Sequence, residues 1–305
     1  MTHVVTVTGE CAAEDLGFVL PHEHLFLDLV QEYRGDGLLN DREAAVEDLR
    51  SYATAGGGAL IDCSTRGLNP QPEWVAEVSR RTGVKIVMGC GFYRDPYLRP
   101  EWIDRTTVSA LADELIHEVE HGFGTTGVRP GIIGEIGADR EYISAAEERS
   151  FRAAARTHHA TGLTITTHAA RWPVGIPQLD LLAEEGVAPQ RVIIGHCDTV
   201  ADPDYHLEVA RRGAYVQFDC IRKGPEWDLQ SRVRYVLNLV ENGFADRVLI
   251  SHDVCLNSHL EVRGGGGYTL ILREFLPRLR DAGLSDELIE QITVHNPANA
   301  LVGTR

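Results

Sequence analysis

Eight short apolar runs recur along the 305 residues, most of them separated by a helical pattern, and this alternation limits the possible folds sharply. The runs span 18–27, 59–63, 85–90, 131–136, 163–168, 191–196, 215–219 and 247–253. They are rich in Ile, Val and Leu, as strands covered on both faces are. Amphipathic segments at 41–55, 102–122, 145–161, 205–212 and 227–242 predict helices between them, and a last helical pattern covers 268–282. Strand and helix in alternation imply a parallel sheet. A count of eight favours closure into a (β/α)8 TIM barrel over an open doubly wound sheet. The dinucleotide fingerprint G-x-G-x-x-G that would support the open sheet does not follow the first run. A barrel of this kind needs about 250 residues. The chain therefore reads as one domain over 1–305, with residues 1–16 a β-rich lead-in that covers the barrel floor.

Charge and cysteine usage narrow the function. The 45 acidic residues outnumber the 29 basic ones for a net charge of −16. Such a surface repels phosphate backbones and anionic lipid, so a small-molecule substrate is expected, with no nucleic acid and no membrane partner. The start, Met1-Thr2-His3-Val4-Val5, lacks the basic and apolar stretches of a signal peptide, and no run approaches the length of a membrane span. Six scattered cysteines without a C-x-x-C pair read as reduced core or near-site thiols of a cytoplasmic protein.

Residues able to bind metal fall near the C-terminal ends of the runs. The first run carries His22-Glu23-His24, where alternation sends both histidines into the barrel and Glu23 away from it. Glu135, His168, His196 and Asp253 follow on the fourth, fifth, sixth and eighth runs. Barrel active sites lie at that face, so the six side chains are expected to converge. Four histidines and two carboxylates would be costly to bury there without a cation. His252 adjoins Asp253 but points to the opposite face, and His117, His121, His158 and His159 lie on predicted helices and are expected to be solvated.

The ordered set resembles the amidohydrolase superfamily, and within it the phosphotriesterase-related family. The likeness runs from Leu20-Pro21-His22-Glu23-His24-Leu25 through Gly89-Cys90-Gly91-Phe92-Tyr93 and Ile194-Gly195-His196-Cys197-Asp198. It continues with Ser251-His252-Asp253-Val254-Cys255 and Gly265-Gly266-Gly267-Tyr268, and closes on Asn296-Pro297-Ala298-Asn299-Ala300-Leu301. The resemblance implies that His22, His24 and Asp253 ligate a more buried metal, and His168 and His196 a more exposed one. Glu135 falls where many members place a carboxylated lysine that bridges the two ions. Here Gly134-Glu135-Ile136-Gly137 offers a carboxylate directly, as in one branch of the family, which counts against efficient phosphotriester hydrolysis but not against a binuclear centre.

The implied cofactor is a pair of divalent ions, zinc as the first expectation, with manganese, cobalt or iron also compatible with imidazole and carboxylate ligands. The implied reaction is hydrolysis of a carboxylic ester, lactone or amide by a metal-bridging hydroxide, with Asp253 as the proton acceptor. Tyr93 and Arg222 are the expected substrate-binding residues, the arginine favouring an anionic substrate. Trp227 and Tyr268 are candidates for an apolar wall, and 256–267 for a mobile lid. A TatD-like metal-dependent phosphodiesterase, whose fourth strand also carries Gly-Glu-Ile-Gly, is the competing reading, with phosphotriesterase chemistry a further alternative. The charge argues against a nuclease. Relatives are often dimers, which leaves a homodimer open.

Overall fold

The computed structural model describes residues 2–303. Eight parallel strands pair in chain order: β1 (Phe18–Glu23), β2 (Gly57–Asp62), β3 (Lys85–Cys90), β4 (Ile132–Gly137), β5 (Ile165–His168), β6 (Val192–Gly195), β7 (Tyr215–Phe218) and β8 (Val248–Ile250). A helix follows each: α1 (Arg42–Thr54), α2 (Pro72–Thr82), α3 (Val108–His121), α4 (Ala145–Thr161), α5 (Gly175–Glu184), α6 (Pro203–Arg211), α7 (Glu226–Glu241) and α8 (Leu276–Asp281). This is the expected TIM barrel. No helix among the described residues is long and apolar enough to cross a membrane.

The barrel closes where β8 meets β1, and side chains carry much of that seam. The Asp253 amide donates to the His22 carbonyl at 3.2 Å, and the His22 amide to Ser251 Oγ at 3.0 Å. The buried Glu23 carboxylate accepts from Ser251 Oγ, the His252 amide, the His252 imidazole and the Val254 amide, all at 2.8–2.9 Å. Pointing Glu23 out of the barrel, as alternation predicts, is what brings it to this seam.

Inward-facing residues fill the lower barrel. Val19, Ile61, Val87, Ile132, Ile193 and Leu249 are buried together with Val4 of the lead-in and Leu301 near the C-terminus. The lead-in is an antiparallel hairpin, His3–Thr6 with Gly9–Ala12, and the Val7 amide donates to the Ile86 carbonyl at 2.8 Å. In β1 and β4 the pairing register shifts partway, between Leu20 and Glu23 and between Ile133 and Ile136. An irregularity of this kind changes the phase of alternation. It allows Val19 and then His22, or Ile132 and then Glu135, to face the same interior.

Several boundaries differ from the sequence reading. The helix expected over 102–122 is interrupted: a short turn, Pro100–Ile103, is followed by α3, whose first turn is capped by Thr107 Oγ1 accepting from the Ala110 amide. Helices α2 and α5 are additional. Strand β8 ends at Ile250, three residues before Asp253, and β6 ends at Gly195, so the candidate ligands there lie in the turns beyond. The segment 256–267 is held to the rest of the protein: Asp48 accepts from the Glu261 and Val262 amides at 2.7 and 3.0 Å, and Asn257 Nδ2 donates to the Leu38 carbonyl at 2.7 Å. Those anchors oppose the free lid that its glycines suggest.

Candidate metal centre

The six predicted side chains converge at the C-terminal mouth of the barrel. Glu135 lies at their middle. One of its oxygens is 3.5 Å from His22 Nε2, 3.1 Å from His168 Nδ1 and 3.2 Å from His196 Nε2, and the other is 3.4 Å from His24 Nε2. Asp253 Oδ1 is 3.3 Å from His24 Nε2. All are buried or nearly so.

Local sequence explains how they reach these positions. Glycine precedes two of them, because a Cβ on Gly134 would collide with the Thr166 carbonyl oxygen and one on Gly195 with that of Thr167. His196 and Asp253 themselves adopt left-handed backbone, with φ of 56° and 51°. Residues other than glycine rarely do so, and such strain concentrates at functional sites. His168 is held through its carbonyl, which accepts from the buried Gln178 side chain of α5 at 2.8 Å.

Partners around the cluster fix which nitrogen of three histidines faces inward. Asp219 accepts from His196 Nδ1 at 2.7 Å and lies 3.0 Å from His22 Nδ1, which Gln217 Nε2 also approaches at 2.9 Å, and Ser64 Oγ lies 3.0 Å from His24 Nδ1. With the proton on Nδ1, each of these imidazoles presents an Nε2 lone pair to the centre. Behind Asp219, its own amide and that of Cys220 donate to the buried Asp198 carboxylate, which also accepts from Arg232 Nε at 2.8 Å. Asp219 is the clearest omission of the sequence reading. Tyr215, Gln217 and Asp219 alternate along β7 and its continuation, so the i, i+2 rule already places this acid inside.

The electrostatics favour cations. Burial opposes charge on His22, yet the Asp219 and Glu135 carboxylates outweigh it and raise its pKa to about 10. His24 rises to about 9, with burial again opposed by Asp253 and Glu135. Burial would raise Glu135, but the surrounding histidines, His22 foremost, hold it well below the ordinary carboxylate range. His168 falls to about 4 through burial and the neighbouring His196, which keeps its ring neutral. The donor set fits divalent ions: imidazole and carboxylate atoms of His22, His24 and Glu135, and of Glu135, His168 and His196, form two close groups sharing Glu135. His22 Nε2 is buried and has no hydrogen-bond partner, as suits a nitrogen meant for a metal.

The centre opens into a cavity of about 470 Å³, of the size that takes a small molecule. The Tyr93 hydroxyl lies on its wall, 3.2 Å from His168 Nδ1. Arg222 also lines it, but its guanidinium contacts the Asp253 carboxylate and its Nε donates to the His252 carbonyl at 2.8 Å. Trp227 is exposed on α7 and absent from this wall; Tyr268 is buried, its hydroxyl donating to the His24 carbonyl at 2.7 Å. His252 bonds Glu23 and accepts from the Ile271 amide at 3.0 Å, outside the cluster as expected. His117 and His121 are exposed, and His159 is exposed though bonded to the Glu185 carbonyl. His158, however, is half-buried, with Nδ1 2.7 Å from the Leu163 carbonyl. All six cysteines are unpaired; Cys63, Cys90 and Cys197 are buried, and Cys220 and Cys255 border the cavity.

Comparison with known proteins extends the likeness over the whole barrel. The model of the phosphotriesterase family matches residues 2–301. The phosphotriesterase homology protein of Escherichia coli is 35% identical over 283 residues, covering 92% of this chain and 97% of that protein. Human N-acetyltaurine hydrolase is 31% identical over 274 residues, covering 85% of this chain and 77% of its own length. The crystal structure of a lactonase from Listeria monocytogenes superimposes with a TM-score of 0.91 at 30% identity, covering 99% of this chain and all of that one.

Proposed function

This chain belongs to the phosphotriesterase family, and on that premise we propose that it is a binuclear metal-dependent hydrolase of a carboxylic ester, lactone or amide. One observation carries the reading: a single buried carboxylate, Glu135, lies within 3.5 Å of imidazole nitrogens from four histidines. Relatives named N-acetyltaurine hydrolase and lactonase support carbonyl substrates of amide and ester type.

His22, His24 and Asp253 would hold one ion, His168 and His196 the other, and Glu135 both. Two divalent ions bound there would acidify a shared water and polarise the substrate oxygen. The remaining chemistry belongs to the chain. Asp253, held well below the ordinary carboxylate range despite its burial by the Arg222 guanidinium and His24, stays ionised at neutral pH. It accepts the proton of the attacking water and returns it to the leaving group. The Tyr93 hydroxyl, kept protonated by burial, offers a hydrogen bond to the substrate beside His168. Leu27, Leu29, Leu68 and Leu256 give the cavity an apolar side that limits access of bulk water.

Metal analysis of the purified protein, followed by a panel of lactones, N-acyl amino acids and aryl phosphotriesters, tests the proposal. Two equivalents of metal and turnover of a carboxylic derivative are expected, with zinc the first ion to try. Protein that takes up no metal, or that cleaves only the phosphotriesters, would overturn it.

A further inference from the structure

Three guanidinium groups line the cavity, and two are already matched. Arg94 pairs with Glu32 and Asp139, and Arg222 with Asp253. Arg171 is different. Among the described residues no carboxylate lies within 4 Å of its guanidinium, although it faces the same cavity.

Its backbone, by contrast, is fixed. The Arg171 amide donates to Thr199 Oγ1 at 2.7 Å, and Thr199 Oγ1 donates in turn to the His196 carbonyl at 2.7 Å. Arg171 is therefore tied to the turn that carries a candidate ligand. It also follows His168 by three residues, which keeps the two backbones within about 10 Å. Its φ is 69°, a conformation that glycine would adopt at less cost.

We infer that Arg171 binds a fixed negative charge on the substrate, so that the site prefers amides, esters or lactones bearing a carboxylate or sulfonate a few bonds from the scissile carbonyl. The inference rests on the hydrolase reading above. A protein of net charge −16 repels anions at long range, and an unmatched guanidinium at the mouth offsets this locally. Its planar pair of N–H donors matches the two oxygens of an oxyanion. Tyr33, 40% exposed on the same cavity wall, is a second polar group at that mouth.

The test compares N-acetyl-β-alanine and the aminoethanesulfonate analogue with neutral N-acetyl-β-alaninamide, using metal-loaded wild type, R171A, R171K and R171E. Wild type should prefer both anions. R171A should raise KM for the anions about 10-fold or more while leaving the neutral amide unchanged, because a hydrogen bond to a charged group is lost. R171K should restore part of the preference and R171E should reverse it. Preference for only one of the two anions would assign the charge to carboxylate or to sulfonate. Trp172, adjacent and 43% exposed, supplies a readout independent of turnover: its fluorescence should respond to N-acetyl-β-alanine in wild type and not in R171A, with W172F as control. An anion-to-neutral ratio unchanged by R171A overturns the assignment and leaves the hydrolase reading standing. An Arg171-dependent fluorescence response without turnover of any of the three compounds, or of the earlier panel, sinks the hydrolase reading and keeps the anion site.

Discussion

The Glu23 carboxylate and His252 Nδ1 lie 2.8 Å apart, buried at the junction of the first and last strands. Each is the immediate neighbour of candidate metal ligands, and each faces away from the metal centre. The positions of His22, His24 and Asp253 thus depend on a contact made behind them.

Replacing Glu23 with Gln should weaken that junction. The amide keeps one acceptor oxygen but turns a donor towards groups that are themselves donors. Loss of charge-assisted hydrogen bonds here should cost about 2–3 kcal/mol. Denaturant unfolding of the metal-free protein measures this, and an unchanged midpoint would show that the backbone alone holds the seam.

Asp219→Asn should lower metal affinity about 10- to 100-fold without unfolding the barrel. The carboxylate faces the Nδ1 atoms of two imidazoles at once, whereas an asparagine side chain has one acceptor and leaves His22 or His196 free to change tautomer. Competition against a chelator gives the affinity, and circular dichroism checks the fold.

Asp253→Asn should reduce kcat by about 10²- to 10⁴-fold, the usual range for a lost general base, while some metal is retained. Near-wild-type turnover in this variant would refute the proton-transfer role.

The metal-free protein should lose stability as pH rises. Its His22 titrates near 10 and its His24 near 9, above the ordinary 6.5. The folded chain therefore binds more protons than the unfolded chain between these values. The contribution is complete below pH 6.5 and disappears as pH passes through 9 to 10. Metal competes with the same protons, so affinity for zinc should increase over that window. Melting curves with chelator and with added zinc should diverge as pH rises; parallel curves would contradict the assignment.

Much of this was readable from the chain because strands bury alternate residues. The spacing of His22 and His24 placed both inside and Glu23 outside, and the same logic separated His252 from Asp253. The phase changes in β1 and β4 are not legible there, since a register shift leaves no mark in a run of apolar residues. Helix α2 lies outside the expected segments, although Pro72 at its start, Arg80 and Arg81 in its last turn and Gly83 just beyond are recognised end signals. The break before α3 was hidden because Trp102, Ile103, Leu111 and Leu115 continue a helical period across it. Arg222 lines the cavity where it was expected to meet substrate. Its pairing with Asp253 depends on two segments about thirty residues apart, which only the fold brings together.

The seam described above also governs when the active centre can exist during synthesis. His22 precedes Asp253 and the amides that clasp Glu23 by some 230 positions. A chain made only as far as β7 lacks Asp253 and every group that clasps Glu23, so the pocket is complete only once β8 and the turn after it are in place. The order of the strands therefore completes the Glu135, His168 and His196 group before the group formed by His22, His24 and Asp253.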